Sequence, residues 1–317
     1  MALDFGYAAN ILLATETTYG TQSASTAWNR VPVLSFDPGT RQPRENQDVT
    51  SYQGGRDGGI SLTGLRTIEP TIEVPMDLNN IGHWLHLVFG APVTTGTTDY
   101  VHTFKSGGTT LPSASVERQL GGVGDFLRVL GCRADSLDLT FSPGAAAQSA
   151  KIGLVANGRV RTGVSADTSP VDALFLPLLG QATVINRAGS PLARVTGGSI
   201  RFSNGLERLR EANGGVDIKE AAPGPTTLTG TVDMRMDSDL LIDDAEAGLP
   251  IALTFGYSLG PTQSLVFTVP GALVELTDPP VQGRGGIQAS FSYTGQYDAT
   301  AGCRLSAVLK NQVAAYT

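Results

Sequence analysis

Thr71-Ile72-Glu73-Val74-Pro75-Met76-Asp77 and, in the second half of the chain, Thr231-Val232-Asp233-Met234-Arg235-Met236-Asp237 carry one pattern. Each alternates apolar and polar residues over a strand's length. Each then reaches an acidic residue where a helix can start. After the first, Leu78, Ile81, Leu85 and Val88 share one helical face, Asp77 can cap it and Gly90 can stop it. After the second, Ser238 can cap a helix over 238–248 with Leu240, Leu241 and Ala245 inward. A third helical stretch is expected over 171–179.

Further matches follow in the same order. Leu34-Ser35-Phe36 answers Ile200-Arg201-Phe202, and Leu87-Val88-Phe89-Gly90 answers Leu253-Thr254-Phe255-Gly256. Ala114-Ser115-Val116-Glu117 answers Ala272-Leu273-Val274-Glu275. Leu137 to Ser142 answers Ile287 to Ser292. Five ordered matches predict a duplicated domain, with repeats over 1–158 and 159–317. Each repeat holds a long polar stretch after its first strand. Copy one places Arg41, Arg44, Glu45, Asp48, Arg56 and Asp57 there. Copy two places Glu207, Arg208, Arg210, Glu211, Asp217, Lys219 and Glu220 there. Loops this long are functional or disordered more often than idle, and mixed charge fits arms that dock on a neighbour. Solvated hairpins are the plainer reading of the same residues.

Strand-like segments recur at 31–36, 60–65, 70–76, 100–104, 136–141, 152–155, 198–202, 226–236, 251–256, 264–269, 286–293 and 305–309. Turn signals separate them, and 39 Gly and 18 Pro supply the punctuation. The chain of 317 residues suits two domains of ordinary size. The expected class is all-β, a sandwich or half-barrel with one small helix per repeat. Charged residues are only 16%, which suits a surface covered by other protein. The net charge of −7 is spread evenly, with 10 basic against 14 acidic residues before Gly158 and 12 against 15 from there on. The absence of a basic stripe argues against a phosphate-gripping protein. The N-terminal stretch has no basic n-region, and no apolar run reaches membrane-spanning length, so a soluble chain is expected.

Little in the sequence points to catalysis. His83 and His86 stand at i, i+3 beside Trp84, without the third ligand or H-E-x-x-H pattern of a zinc site. They read as histidines at the edge of an amphipathic helix. The glycine runs at 121–124 and 283–286 match neither a P-loop nor a dinucleotide fingerprint and read as turns. No G-x-S-x-G elbow occurs. The carboxylates around 233–246 lack the spacing of a calcium loop. Cys132 and Cys303 read as buried free thiols. No cofactor or metal is expected. What remains is self-association, and an acidic surface along which DNA phosphates would slide without sticking.

Glu16-Thr17-Thr18-Tyr19-Gly20-Thr21, Trp28 and Val31-Pro32-Val33 resemble the start of the tail tube proteins of long-tailed phages. The end is similar to them too: Pro279-Pro280-Val281, Gly285-Gly286-Ile287-Gln288-Ala289-Ser290-Phe291, Tyr297-Asp298 and the stretch 305–311. The resemblance implies subunits that join sheets around a lumen and stack as rings in the virion tail. It implies a tape-measure protein and tail terminator and tip proteins as partners, passing double-stranded DNA, no membrane, and synthesis in the host cytoplasm. With two copies per chain, three chains would complete a pseudo-sixfold ring. The lumen sheet is expected from 70–76, 230–236, 137–141 and 286–291, with Glu73, Asp138, Asp233 and Arg235 facing the bore. The charged arms would make the ring-to-ring contacts. A non-contractile tail is the expected setting.

Rival readings are a capsid decoration or baseplate subunit, a carbohydrate-binding sandwich and a metal-dependent hydrolase. The first would not need two long arms. The second should expose aromatic platforms, yet aromatics are 7% and scattered. The third lacks visible ligands.

Overall fold

Alternation in the sequence becomes a two-faced sheet in the computed structural model, which describes residues 6–23, 27–47, 60–120, 124–144, 147–212, 215–281 and 285–316. The first half supplies β1 (Ala9–Thr15), β2 (Ser35–Asp37), β3 (Thr71–Pro75), α1 (Ile81–Phe89), β4 (Tyr100–Lys105), β5 (Ala114–Leu120), β6 (Asp125–Phe141), β7 (Ser149–Val155) and β8 (Gly158–Thr162). The second supplies β9 (Thr183–Arg187), β10 (Val195–Ser203), β11 (Thr227–Arg235), α2 (Leu240–Ala247), β12 (Ile251–Ser258), β13 (Ser264–Val274), β14 (Gln288–Gly295) and β15 (Ser306–Asn311). The class is all-β, as expected.

A central antiparallel sheet runs β2-β3-β7-β6-β10-β11-β14 and crosses from one half to the other. Its inner face is apolar: Ile72, Ile152, Leu137, Ile200, Val232 and Phe291 are all buried. The long strands β6 and β13 each serve two sheets. The first part of β6 pairs with β5 and β8, and its last part with β7 and β10. Register slips between Ala134 and Ser136. Such a bulge bends a strand and lets it turn the corner of a sandwich. Likewise β13 pairs with β15 at its start and with β14 at its end. With β1 on β5 and β9 on β12, the order β1-β5-β6-β8 recurs as β9-β12-β13-β15.

The turn leaving β2 is also the turn leaving β10. Gly39 N–H donates to Asp37 Oδ1, and Gly205 N–H to Ser203 Oγ. Both glycines have positive φ, 58° and 56°. A Cβ would meet the Glu69 carbonyl at 1.9 Å in one case and the Pro225 carbonyl at 2.6 Å in the other. Only glycine fits either position.

Pairing corrects several sequence matches. Phe36 faces Ile72, while Phe202 faces Leu228, so Leu228 stands where Ile72 stands. The match of Ile72 with Val232 is therefore four residues out (232 − 228). Residues 87–90 end a helix, whereas 253–256 lie within β12. Strand pairing sets β5 against β12 and β6 against β13, not against 272–275 and 287–292. Glu117 is buried and ion-paired with Arg128, while Glu275 is exposed. The stretch 171–179 is not helical. Pro170 and Pro177 disfavour it, and the chain instead pairs Val171–Asp172 with Asn29–Arg30 in parallel. Asp77 binds the N–H groups of Asn79 and Leu176, each at 2.9 Å, and Asn80 takes the N-cap position of α1. In α2 the N-cap is Asp239, and Leu240 points to solvent.

The two halves meet along a seam. Residues 136–141 of β6 pair with 198–203 of β10. Phe141, 1% exposed, crosses the seam and lies 5.4 Å from the rings of both Phe255 and Tyr257. Phe89 at the end of α1 sits 5.3 Å from Phe202. The Asn204 amide donates to the carbonyls of Val88 and Ala134. A second seam joins β4 to β15. Phe141→Ala should lower unfolding stability by about 3–5 kcal/mol, read from the urea midpoint, because it empties an aromatic site at the join.

Candidate functional site

The outer face of the central sheet gathers the residues expected to line a bore. In the register of the strands one row reads Ser35, Glu73, Lys151, Asp138, Arg201, Thr229, Thr294. Asp233 and Arg235 lie on the same face, two and four residues beyond Thr231 in β11. All four expected residues, Glu73, Asp138, Asp233 and Arg235, thus share one surface with side chains away from the core. The face is concave around Glu73, Asp138, Thr140, Lys151 and Arg201.

Its chemistry differs from the acidic wall expected. Four carboxylates (Asp37, Glu73, Asp138, Asp233) stand against three cations (Lys151, Arg201, Arg235). Signs alternate from strand to strand along Glu73, Lys151, Asp138 and Arg201, and opposite charges facing each other stabilise a sheet. Serine and threonine fill most other positions. Two carboxylates are tied down by them: Ser149 donates to Glu73 at 2.8 Å and Ser290 to Asp233 at 2.5 Å.

The polar arms are hairpins. Arg44–Gln47 pairs with Ile60–Thr63, and Glu207–Leu209 with Glu220–Ala222. Asp48, Arg56 and Asp57 fall outside the described residues. Four of the other arm residues, Arg208, Arg210, Asp217 and Glu220, act within the chain. Arg66 of the first arm grips Asp217 of the second with two nitrogens. Arg208 donates to Glu69 at 2.7 Å, and Arg210 donates to the carbonyls of Arg66 and Val216. The arms are thereby held side by side. Arg41, Arg44, Glu45, Glu207, Glu211 and Lys219 remain exposed on them.

The 16–21 segment is an anchor. Buried Glu16 accepts from the N–H of Gly20 and Gly131 and from the hydroxyls of Ser113 and Ser115, all within 2.8–2.9 Å. Tyr19 lies under Arg133, whose guanidinium is 4.3 Å from the ring centre. Arg133 donates on to Glu220, and the Tyr19 hydroxyl accepts from Ala221 N–H. This polar chain ties the start of the protein to the base of the second arm. Glycine suits position 20, whose φ of 68° strains other residues, and a Cβ there would also push on the Asn157 side-chain amide.

The histidines are more buried than a helix edge implies. His83 and His86 keep buried Nδ1 atoms without hydrogen-bond partners. Tyr316 packs edge-on between His83 and His102, at 5.0 and 4.9 Å, and its hydroxyl donates to the Asn79 carbonyl. Among the described residues no three His, Cys, Asp or Glu side chains gather as metal ligands, and no helix is long and apolar enough to cross a membrane. Cys132 and Cys303 are free and buried, and burial pushes the Cys132 thiol well up.

A two-layer β protein with one broad polar sheet face and paired arms has the build of a structural subunit. The sequence profile of the family described as phage tail tube protein matches residues 6–295, and the chain belongs to that family. It is therefore a tail component of the virion by family, and that family is structural rather than enzymatic. No curated protein matches the chain.

Burial, with His86 as the lesser cause, pushes the His83 imidazole down to about 4. An unfolded histidine titrates near ~6.5. As pH falls from about 6.5 to about 4, the unfolded chain takes up a proton that the folded chain refuses, so stability falls. The loss is on the order of 2–3 kcal/mol. Unfolding curves of His83→Gln should lack that share of the acid slope.

Proposed function

We propose that the chain is the major tail tube subunit and that the polar face of the central sheet lines the bore. The carrying observation is that this face is continuous across both halves, because β6 and β10 pair. Strand order recurs in the two halves, as does the glycine turn into each arm, and both support a duplicated domain with repeats over 1–158 and 159–317. Six such units close a ring in the resemblance noted above, so three chains would form one. The exposed arms then reach the next ring, with Arg41, Arg44, Glu45, Glu207, Glu211 and Lys219 in contact. Rings stack around a tape-measure protein between terminator and tip proteins. The non-contractile type of tail is the setting we infer.

The lining suits a conduit. DNA is held by proteins that release its counterions through unopposed cations. Here each cation has a carboxylate in the neighbouring strand or row, and hydroxyls bond water in place of phosphate. Duplex DNA passes without a specific grip.

Electron microscopy of the purified, concentrated chain should show rings or tubes with an open bore and threefold symmetry. Particles without a bore would sink the reading. Removal of 44–55 should leave soluble subunits that close rings but do not stack, and normal tubes from that deletion would remove the arms from the ring contact.

A further inference from the structure

One edge strand of the central sheet sits beside an open apolar groove. β2 pairs with β3 alone among the described residues. Between β2 and β1 opens a groove of about 590 Å³ whose walls include Ile11, Val31, Val33, Leu34, Phe36 and Phe175. Leu34 is 61% and Phe175 49% exposed. A cavity of ~150 Å³ already holds a benzene-sized guest, so the groove takes a large apolar side chain with room for more.

The chain contains the same place already filled. Phe36 faces Ile72 as Phe202 faces Leu228, so β2 stands where β10 stands. On β10 lies β6 from the other half, with Phe141 driven into the core and Phe89 over Phe202. The matching segment in the second half follows from the register. Glu73 faces Lys151, which faces Asp138. Thr229 faces Thr294, which faces Leu273. Leu273 therefore stands as Asp138, and Leu276, three residues on, stands as Phe141. Phe141 is 1% exposed, and Leu276 is 57% exposed. The backbone contact at Ala272 is taken by Ile251, so the open stretch begins at Leu273. Pro279 and Pro280 then end it, since proline cannot extend a ladder.

We infer that the groove between β1 and β2 receives residues 273–276 of a second copy of this chain, with Leu276 as the inserted side chain. This rests on the tube reading and names its chain-to-chain contact. The segment lies along the edge of 32–35 at the start of β2, with Leu273 opposite Ser35 and Leu276 opposite Pro32, as Asp138 lies opposite Arg201 and Phe141 opposite Gly198. Leu276 then covers Val33 and Phe36 as Phe141 covers its own aromatic seat. An unpaired edge beside an apolar groove is a template for one more strand.

Cysteine cross-linking of the full chain tests it. Directly opposed strand residues have Cβ atoms ~4.5–5.5 Å apart, close enough to bridge on oxidation. Asp138→Cys with Arg201→Cys is the internal reference and should give a bridge within one chain. Ser35→Cys with Leu273→Cys should give covalent species of up to three chains on a non-reducing gel. Leu276→Asp should keep the unfolding midpoint of the single chain, because Leu276 is exposed there. It should raise the concentration needed for assembly by about tenfold or more, through the lost apolar burial. Tubes that form with the reference bridged and the Ser35→Cys, Leu273→Cys pair unbridged overturn the contact and leave the tube reading standing. Tubes unaffected by Leu276→Asp overturn it equally. A chain that stays single at every concentration overturns both.

Discussion

The join of β6 to β10 is the constraint on which the rest depends. Six residues of one half lie beside six of the other, and Phe141 enters the far core between Phe255 and Tyr257. Backbone pairing fixes the register, because a slip of one residue would turn Leu137, Leu139 and Phe141 outward. The aromatic insertion then makes the register costly to lose. Asn204 seals the corner by binding carbonyls from α1 and β6 at once. A rigid join is what allows one polar face to run unbroken over two halves.

That face shows how a sheet can be charged and still inert. Along Glu73, Lys151, Asp138 and Arg201 the signs alternate from strand to strand, and hydroxyls pin Glu73 and Asp233. Net charge for the whole chain is acidic, yet the excess lies elsewhere. The negative cluster near α2, for example, holds Arg187 through Asp244. Composition reports a sum over the surface, and register decides what any one surface presents.

Period-two alternation revealed β3, the second half of β6, β10, β11 and β14, because each buries one face only. It also marked Glu73, Asp138, Asp233 and Arg235 as polar alternates, and they share a face. Strands with both faces covered were not legible: β1 reads as the apolar run Ile11 to Ala14 without alternation. Several of the short sequence matches between the halves join segments that the strand pairing sets apart. Insertions such as β4 and unequal strand lengths, five residues in β3 against nine in β11, shift sequence against structure. The arms were legible as charged stretches, but not that Arg66 would take Asp217. Pairing of residues so far apart in the chain leaves no local trace.

On the proposed reading, in which one chain carries two units, a ring is held by two kinds of joint. Joints within a chain form at the high effective concentration of a tether, whereas joints between chains depend on subunit concentration. The two kinds also differ in build. The internal joint has the extra pairing of β4 with β15. Strand β4 lies between α1 and β5, but only residues 248–250 separate α2 from β12, which leaves no room for a counterpart. The edge of β8, which stands where β15 stands, accordingly has β6 as its one strand partner among the described residues. On the trimeric reading, strong and weak joints alternate around the ring. Strain from bending the tube would then fall on three joints rather than six, at the places where chains meet.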